Sequence, residues 1–315
     1  MKHHTRPLLC TAVLLLTAVL LLPRTAALSP GGENSAPIAE RLALTTYRDV
    51  PVEGRLSAVD PEGDAVTFRL LDRPVRGAVE IAENGVFRYT PYERKAGRDR
   101  FTYVAEDGAG NVSKPVEVSV QIEKAKTDVR YADLKGSATE RAALKLAEEG
   151  VLIGQQIGQT WYFEPESPVS RSAFLAMAMT AAGTDRLSSV TASGFADDDS
   201  IPAWAAGYVA TARANGVIRG TETPEGTALF RPNDPCTRAE AAVIINNLLR
   251  IADVSSVSVS ESVPVWARQA AVNLTACGLL RTDESGALRL EAPITRGEAA
   301  ALLCAAMELL EARSA

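Results

Sequence analysis

Histidine and cysteine are scarce in this 315-residue chain, and each shortage excludes certain kinds of catalytic or metal-binding site. The only two histidines, His3 and His4, lie at the extreme N-terminus. A mature protein without that end has no histidine, which excludes histidine-based catalytic triads, histidine metal sites and histidine proton shuttles. The 46% apolar and 23% charged residues are ordinary for globular proteins, and they exclude a disordered chain or a multi-span membrane protein.

The four cysteines match no common metal or disulfide pattern. Cys10 lies in the N-terminal segment, while Cys236, Cys277 and Cys304 are odd in number and lack the C-x-x-C spacing of a zinc site. Because each of these three lies among apolar residues with helical spacing, we expect them to be small core residues. One disulfide or a reactive thiol is the alternative.

The first 27 residues have the pattern of a secretory signal peptide. Lys2 to Arg6 supply a positively charged region, Leu8 to Leu22 form an apolar run, and Thr25-Ala26-Ala27 provides a cleavage site. The apolar run has 15 residues, short of the ~20 that span a bilayer, so we expect a secreted protein with no membrane contact after cleavage. Cleavage leaves 30 basic against 39 acidic residues, a charge of −9 that argues against a nucleic-acid partner.

Residues 36–124 alternate between apolar and polar positions, which is typical of half-buried β-strands. Turn signals separate the alternating runs, and Asn84-Gly85 is the sharpest hairpin signal among them. About seven strands in such a segment predict a β-sandwich.

This segment resembles bacterial Ig-like and cadherin-like modules. The resemblance lies in residues 58–64, 85–91 and 97–103. It implies a spacer or an adhesive unit, and some such modules bind calcium through acids placed like Asp60, Asp64 and Asp107. Calcium needs about six to eight oxygen ligands, whereas acids and glycines also simply form turns, which is the interpretation we favour. No other cofactor is expected.

A polar linker at residues 125–130 precedes a helical pattern that occurs three times, at residues 131–183, 193–250 and 255–312. Each copy has a first helix, a loop and a second helix that opens on Ser or Thr. The equivalent positions are Gly150, Gly216 and Gly278 after the first helix, and Arg171, Arg238 and Arg296 at the start of the second.

These repeats resemble S-layer homology (SLH) modules. The motifs that carry the resemblance are Phe195-Ala-Asp197, Trp204-Ala205, Gly216-Val-Ile-Arg-Gly220, Phe230-Arg-Pro232 and Thr237-Arg-Ala-Glu240. The resemblance implies an all-α, pseudo-threefold bundle that follows the β-sandwich in a multidomain protein. It also implies grooves between the repeats that bind secondary cell-wall polysaccharide, often pyruvylated.

The segment that opens the second helix has two chemical interpretations. Thr237 with Glu240 and Thr295 with Glu298 have the spacing of a capping box, whereas Ser170 keeps only the cap. The arginine that follows each cap opposes the helix dipole, so it needs a compensating anion. That anion is either a ligand carboxylate or an acid such as Asp197 in a salt bridge between repeats.

Three further pairs are candidate polysaccharide-binding residues in the motifs. Trp204 and Trp266 either stack on sugar rings or fill the interface between repeats, and we favour packing. Gly220 and Gly154 either admit a ligand or adopt a positive φ. Asp197 and Asp133 occupy the aspartate position of the first two repeats, and only repeat two is complete, since position 259 of repeat three is valine.

The pattern as a whole predicts a secreted protein held noncovalently to the cell wall at the cell surface, displaying its Ig-like domain. The alternatives are a subunit of an S-layer lattice, with other surface-layer proteins as partners, and an adhesin whose β domain binds an external ligand. An enzyme is not expected, because the β domain has no histidine, no cysteine and no paired carboxylates in a cleft.

Overall fold

A computed structural model describes residues 34–187, 189–190, 192–255, 263–280, 282 and 287–314. The predicted signal peptide, both histidines and Val259 lie outside these residues. None of the helices in the described ranges has the length and apolar character needed to cross a bilayer. The described chain forms two compact units, one that ends at Glu166 and one that begins at Ser167.

The first unit begins with the sheet-rich region that the alternating pattern predicts. Its strands are β1 (Ile38–Ala39), β2 (Leu42–Tyr47), β3 (Val52–Arg55), β4 (Ala58–Val59), β5 (Thr67–Asp72), β6 (Gly77–Ile81), β7 (Val86–Pro91), β8 (Gly97–Glu106) and β9 (Val116–Glu123). A four-stranded sheet has the order β2-β9-β8-β5 and a three-stranded sheet has the order β3-β7-β6, with β1 paired to β4. This architecture is that of an Ig-like sandwich.

Alternation along these strands builds the core of the sandwich. Phe87, Tyr89, Phe101 and Tyr103 are at most 1% exposed, because every second residue of β7 and β8 faces the opposite sheet. The predicted hairpin turn at Asn84-Gly85 joins β6 to β7, with Gly85 at a φ of +80°.

One carboxylate lies inside this core. Asp99 is 8% exposed and accepts hydrogen bonds from the Tyr89 hydroxyl at 2.7 Å and from the amides of Val75 and Arg76 at 3.0 and 2.7 Å. These contacts tie the loop between β5 and β6 to β8, and they satisfy a charge that burial alone would penalise.

The first unit extends beyond the predicted linker. It includes α1 (Thr139–Glu148) and the hairpin of β10 (Gln155–Ile157) and β11 (Thr160–Tyr162). The Tyr47 hydroxyl of β2 donates to Glu148 at 2.8 Å, and Arg141 donates to the Thr45 carbonyl. The first half of predicted repeat one therefore packs with the sandwich as a single unit.

The second unit is helical. It contains α2 (Arg171–Ala181), α3 (Ala203–Ala214), α4 (Arg238–Leu249), α5 (Arg268–Ala276) and α6 (Arg296–Ser314), with a short hairpin of β12 (Thr221–Glu222) and β13 (Ala228–Leu229). Helices α2, α4 and α6 pack against one another. Their apolar faces form the core of this unit.

Three extended segments just before α2, α4 and α6 form a closed ring of backbone hydrogen bonds. The Val169 amide donates to Ile294, the Cys236 amide to Val169, and the Ile294 amide to Cys236, at 3.2, 2.8 and 2.8 Å. The ring fixes the N-termini of the three helices beside one another. This arrangement places the three motif arginines, which are the first residues of those helices.

Candidate functional site

The motif arginine of α2 is buried against the neighbouring repeat. The Arg171 side chain is 9% exposed and forms an ion pair with Glu240, the glutamate of α4. Its Nε donates to the Phe230 carbonyl at 2.8 Å, and its guanidinium lies 5.3 Å from the centre of the Phe230 ring. The neighbouring carboxylate offsets the unfavourable interaction of this cation with the dipole of its own helix.

The motif arginine of α4 repeats this contact. Arg238 donates to Glu298 of α6 at 2.7 Å, with 14% of the arginine side chain and 37% of the glutamate side chain exposed. The third copy differs by sequence, because Arg296 of α6 has Ala173 in α2 at the position of the glutamate. The repeats are therefore chemically unequal.

Each motif glutamate serves two partners at once. One oxygen of Glu240 accepts from the Thr237 amide at 2.9 Å while the other pairs with Arg171, and the Thr237 hydroxyl completes the capping box. Glu298 does the same, accepting from the Thr295 amide at 3.1 Å while it pairs with Arg238. Ser170 caps α2 by accepting from the Ala173 amide at 3.3 Å. Sequence reasoning assigned these glutamates to capping alone and missed the second contact.

The alternative of a salt bridge between repeats agrees with these ion pairs, but the acid is a motif glutamate and not Asp197. Asp197 instead accepts from the amides of Phe230 and Arg231 at 2.8 and 2.7 Å. Asp133 makes the equivalent contacts with the amides of Phe163 and Glu164 at 2.9 and 2.6 Å. Both aspartates therefore hold the chain at the Phe-x-Pro turn, where the residue after Phe has a positive φ.

Trp204 and Trp266 are exposed, so the preferred expectation that they fill the interface between repeats is wrong. Trp204 is 53% exposed and Trp266 is 60% exposed, each two residues after a proline that precedes a helical turn. Proline fixes the entry into the turn, and the indole that follows is directed to solvent. Exposed indoles at equivalent positions of two repeats offer flat apolar faces to a ligand.

Gly220 and Gly154 are required by the local backbone. Gly220 has a φ of +80°, and a Cβ there would lie 2.5 Å from the Phe195 ring and 2.7 Å from the Leu229 carbonyl oxygen. Gly154 has a φ of +89°, and its Cβ would lie 2.6 Å from the Tyr162 carbonyl oxygen. The positive φ and protein contacts account for both glycines.

Gly220→Ala is expected to destabilise the helical unit more than Gly226→Ala does. Both positions have a positive φ, which costs an alanine about 1–2 kcal/mol, but a Cβ on Gly226 meets nothing within 4 Å. Overpacking against Phe195 adds about 1–3 kcal/mol at Gly220 alone. Urea denaturation followed by circular dichroism measures the difference, and equal losses would refute the close-contact explanation.

Two of the three calcium candidates, Asp60 and Asp107, accept hydrogen bonds in turns. Asp60 accepts from the amides of Glu62 and Asp64, each at 3.0 Å, and Asp107 accepts from the Asn111 side chain and amide at 2.8 Å. The hydrogen bond from the Asn111 side chain is the main cause that lowers the pKa of Asp107. The described residues include no group of three or more histidine, cysteine or acidic side chains suited to a metal. Calcium binding stays the untested alternative to a purely structural role of these acids.

The three cysteines differ in their surroundings. Cys236 and Cys304 are buried, and burial raises the pKa of the Cys236 thiol. Cys277 is exposed after the C-terminal end of α5, so the expectation that it is a core residue is wrong. None of the three forms a disulfide within the described part of the chain.

Two segments of the chain match known protein families. Residues 34–121 match the bacterial Ig domain, and residues 194–242 match the S-layer homology domain. The second match covers the repeat in which every motif is complete. The interpretation of the other two copies as SLH repeats stays a prediction.

The chain is also similar to the "Surface-layer 125 kDa protein" of Lysinibacillus sphaericus. The two are 31% identical over 136 residues, which is 42% of this chain and 11% of the relative. This chain thus matches about a tenth of that relative's length.

Solved structures to which part of the chain is similar include the SrpA adhesin R347E mutant from Streptococcus sanguinis, 17% identical over 32% of this chain and 63% of that chain with a TM-score of 0.26. The D00–D0 domain of Intimin is 16% identical over 30% of this chain and 50% of that chain, with a TM-score of 0.24. Similarity at this level carries no functional argument.

Proposed function

We propose that this is a cell-surface protein held noncovalently to the cell wall, with residues 131–312 forming three SLH repeats that bind secondary cell-wall polysaccharide. The observation that carries the proposal is the exposure of Trp204 and Trp266 at equivalent positions of two repeats. The SLH match over residues 194–242 and the similarity to a surface-layer protein support it. No catalytic role is proposed.

The proposal of a pseudo-threefold bundle is supported by the ring of backbone hydrogen bonds. A second set closes a ring in the opposite direction, since the amides of Arg171, Arg238 and Arg296 donate to the carbonyls of Asp234, Ala292 and Ser167 respectively, at 3.0, 2.9 and 2.8 Å. Within each ring every copy donates to one neighbour and accepts from the other, as cyclic symmetry requires.

The tryptophans and arginines have separate tasks in this proposal. The exposed indoles stack on the apolar faces of sugar rings, and the paired arginines hold adjacent repeats together. Arg238 is the arginine better suited to an acidic sugar such as a pyruvylated one, because Glu298 is 37% exposed whereas Glu240 is 25% exposed. A ligand carboxylate displaces the more exposed glutamate at lower cost.

Replacing both tryptophans is expected to remove wall binding while leaving the fold intact. A Trp204→Ala/Trp266→Ala variant should bind purified walls at least about tenfold more weakly, because it loses two aromatic contacts. Its stability should stay within about 0.5 kcal/mol, since both side chains are more than half exposed. The measurement is cosedimentation of the full mature chain with walls, before and after the polysaccharide is stripped.

The matched control is Ile38→Ala/Val59→Ala, which also removes two exposed apolar side chains, but from the sandwich. This variant should sediment with intact walls as the unmodified chain does. The proposal fails if stripped walls bind as well as intact walls, or if the tryptophan variant binds as well as its control.

A further inference from the structure

Three arginines lie close together on the sandwich, around the loop that joins β5 to β6. The Arg76 Nε donates to the Arg98 carbonyl at 3.0 Å, which holds the Arg76 side chain against β8. Arg98 and Arg100 flank the buried Asp99 on that strand. Neighbouring residues of a strand face opposite sides of the sheet, and Asp99 faces the core. The side chains of Arg98 and Arg100 therefore face the solvent.

Strand β9 places neutral residues directly opposite two of these arginines, while its acids Glu117 and Glu123 lie two positions further along the same face. Arg98 and Arg100 are opposite Gln121 and Ser119 of β9, both of which are neutral. Arg100 reaches Glu117 at 3.2 Å, but its side chain is 76% exposed, and a surface pair of this kind holds the arginine weakly. The nearby Asp99 is turned into the core, where it is bonded to Tyr89.

Exposed apolar and aromatic groups lie beside the same arginines. The Tyr92 amide donates to the Arg76 carbonyl at 2.8 Å, so the backbones of Tyr92 and Arg76 are adjacent. Tyr92 is 51% exposed and Val75 is 82% exposed, although both are side chains that favour burial. We call Val75, Arg76, Tyr92, Arg98 and Arg100 the basic surface of the sandwich.

This basic surface contrasts with the rest of the protein. The chain without its predicted signal peptide has a formal charge of −9, so an anionic polymer meets a repulsive field over most of it. Arg171 and Arg238 are largely buried in ion pairs with glutamates. The three arginines of the basic surface are instead exposed residues.

We propose that the basic surface binds an acidic polysaccharide that carries carboxylate groups. A planar guanidinium binds a carboxylate through two parallel hydrogen bonds, and arginine sheds its weak hydration at low cost. Tyr92 and Val75 provide the apolar contact that a sugar ring needs beside its charge. This activity belongs to the sandwich and does not rest on the proposed wall-binding role of the helical repeats.

The test measures binding of the full mature chain to polygalacturonate, with neutral dextran as the uncharged comparison. An Arg76→Gln/Arg98→Gln/Arg100→Gln variant should bind polygalacturonate at least about tenfold more weakly, because it loses three charge-assisted contacts. The matched control is Arg41→Gln/Arg48→Gln/Arg55→Gln, which removes the same charge from three other exposed arginines of the sandwich. This control should change the affinity less than about twofold. Circular dichroism verifies that both variants are folded.

Two further arms decide what the surface recognises. Polyglutamate and polyphosphate carry similar charge without sugar rings, and binding as tight as that of polygalacturonate would overturn the assignment to a polysaccharide. Equal weakening by the two arginine variants would overturn the assignment to this surface. The Trp204→Ala/Trp266→Ala variant should keep its affinity for polygalacturonate, whereas a loss there would place the binding on the repeats. A negative result here leaves the wall cosedimentation result unaffected.

Discussion

Arg171→Ala should lower the free energy of unfolding of the helical unit by about 3–5 kcal/mol, the usual cost of removing one partner from a buried ion pair. The substitution leaves the Glu240 carboxylate facing an apolar side chain, and it also removes the donor to the Phe230 carbonyl. Both lost contacts join α2 to the next repeat, so the effect is on packing between repeats. Urea denaturation followed by far-ultraviolet circular dichroism gives the change directly.

Two companion variants isolate the ion pair. Arg238→Ala should cost less than Arg171→Ala, because Glu298 is 37% exposed and regains water when its partner is removed. Combining Arg171→Met with Glu240→Gln should restore part of the loss, since glutamine keeps an acceptor for the Thr237 amide and no charge is left buried. A cost below about 1 kcal/mol for Arg171→Ala would show that the pair does not hold the repeats together.

The parts of this structure that follow local rules could be predicted from the sequence. Period-two alternation and Asn84-Gly85 predict the strands and one hairpin, because side-chain direction in a strand depends only on its neighbours along the chain. The spacing of Thr237 and Glu240 predicts the capping box for the same reason. Such signals do not depend on the tertiary contacts of the residues.

The site depends on contacts between distant residues, and these could not be predicted in the same way. Arg171 and Glu240 are 69 positions apart, so the spacing within one motif does not show that the arginine of one copy meets the glutamate of the next. The motif did contain a signal for this ion pair, because it includes both an arginine and a glutamate, and a carboxylate has two oxygens. Capping uses one oxygen and leaves the other for a partner.

The tryptophans illustrate the opposite difficulty. Large aromatic side chains are usually buried, so a statistical expectation favoured packing for Trp204 and Trp266. A proline two residues earlier fixes where each helical turn begins, but whether the indole then meets a neighbour depends on the tertiary fold. The predicted linker shows the same limit, because the bond from Tyr47 to Glu148 spans 101 positions and extends the first unit past it.

The second large effect is expected in the sandwich, where Asp99→Asn should cost about 2–3 kcal/mol at neutral pH because hydrogen bonds to a buried charged group are strong. The two oxygens of Asp99 accept hydrogen bonds from the Tyr89 hydroxyl and from the amides of Val75 and Arg76. Asparagine cannot replace them, because its side chain has one oxygen acceptor and one NH₂ donor. Tyr89→Phe removes one of these bonds and should cost about 1–2 kcal/mol. Hydrogen exchange of the Val75 and Arg76 amides reports on this site alone, and Asp99→Asn should accelerate it.

The effect of Asp99→Asn should also depend on pH. Burial by itself raises the pKa of Asp99, but the hydrogen bonds from Tyr89 and from the amides of Val75, Arg76 and Arg100 outweigh it and lower the pKa below its ordinary value. A carboxylate with a lowered pKa stabilises the fold above its unfolded pKa of about 4, and this contribution disappears as the pH falls through the folded pKa.

The stability difference between the unmodified chain and Asp99→Asn should therefore be constant from neutral pH down to about pH 5 and shrink in more acidic solution. Tyr89→Phe is the comparison, since it removes one hydrogen bond to Asp99 while the carboxylate itself stays. In the folded Tyr89→Phe variant the pKa of Asp99 should be higher than in the unmodified chain. The acid-induced loss of stability of this variant should therefore begin at a higher pH. A stability difference for Asp99→Asn that stays constant through the acidic range would mean that the pKa of Asp99 is the same in the folded and the unfolded chain. Strong hydrogen bonds to an ionised Asp99 would then no longer explain why the loop between β5 and β6 is held against β8.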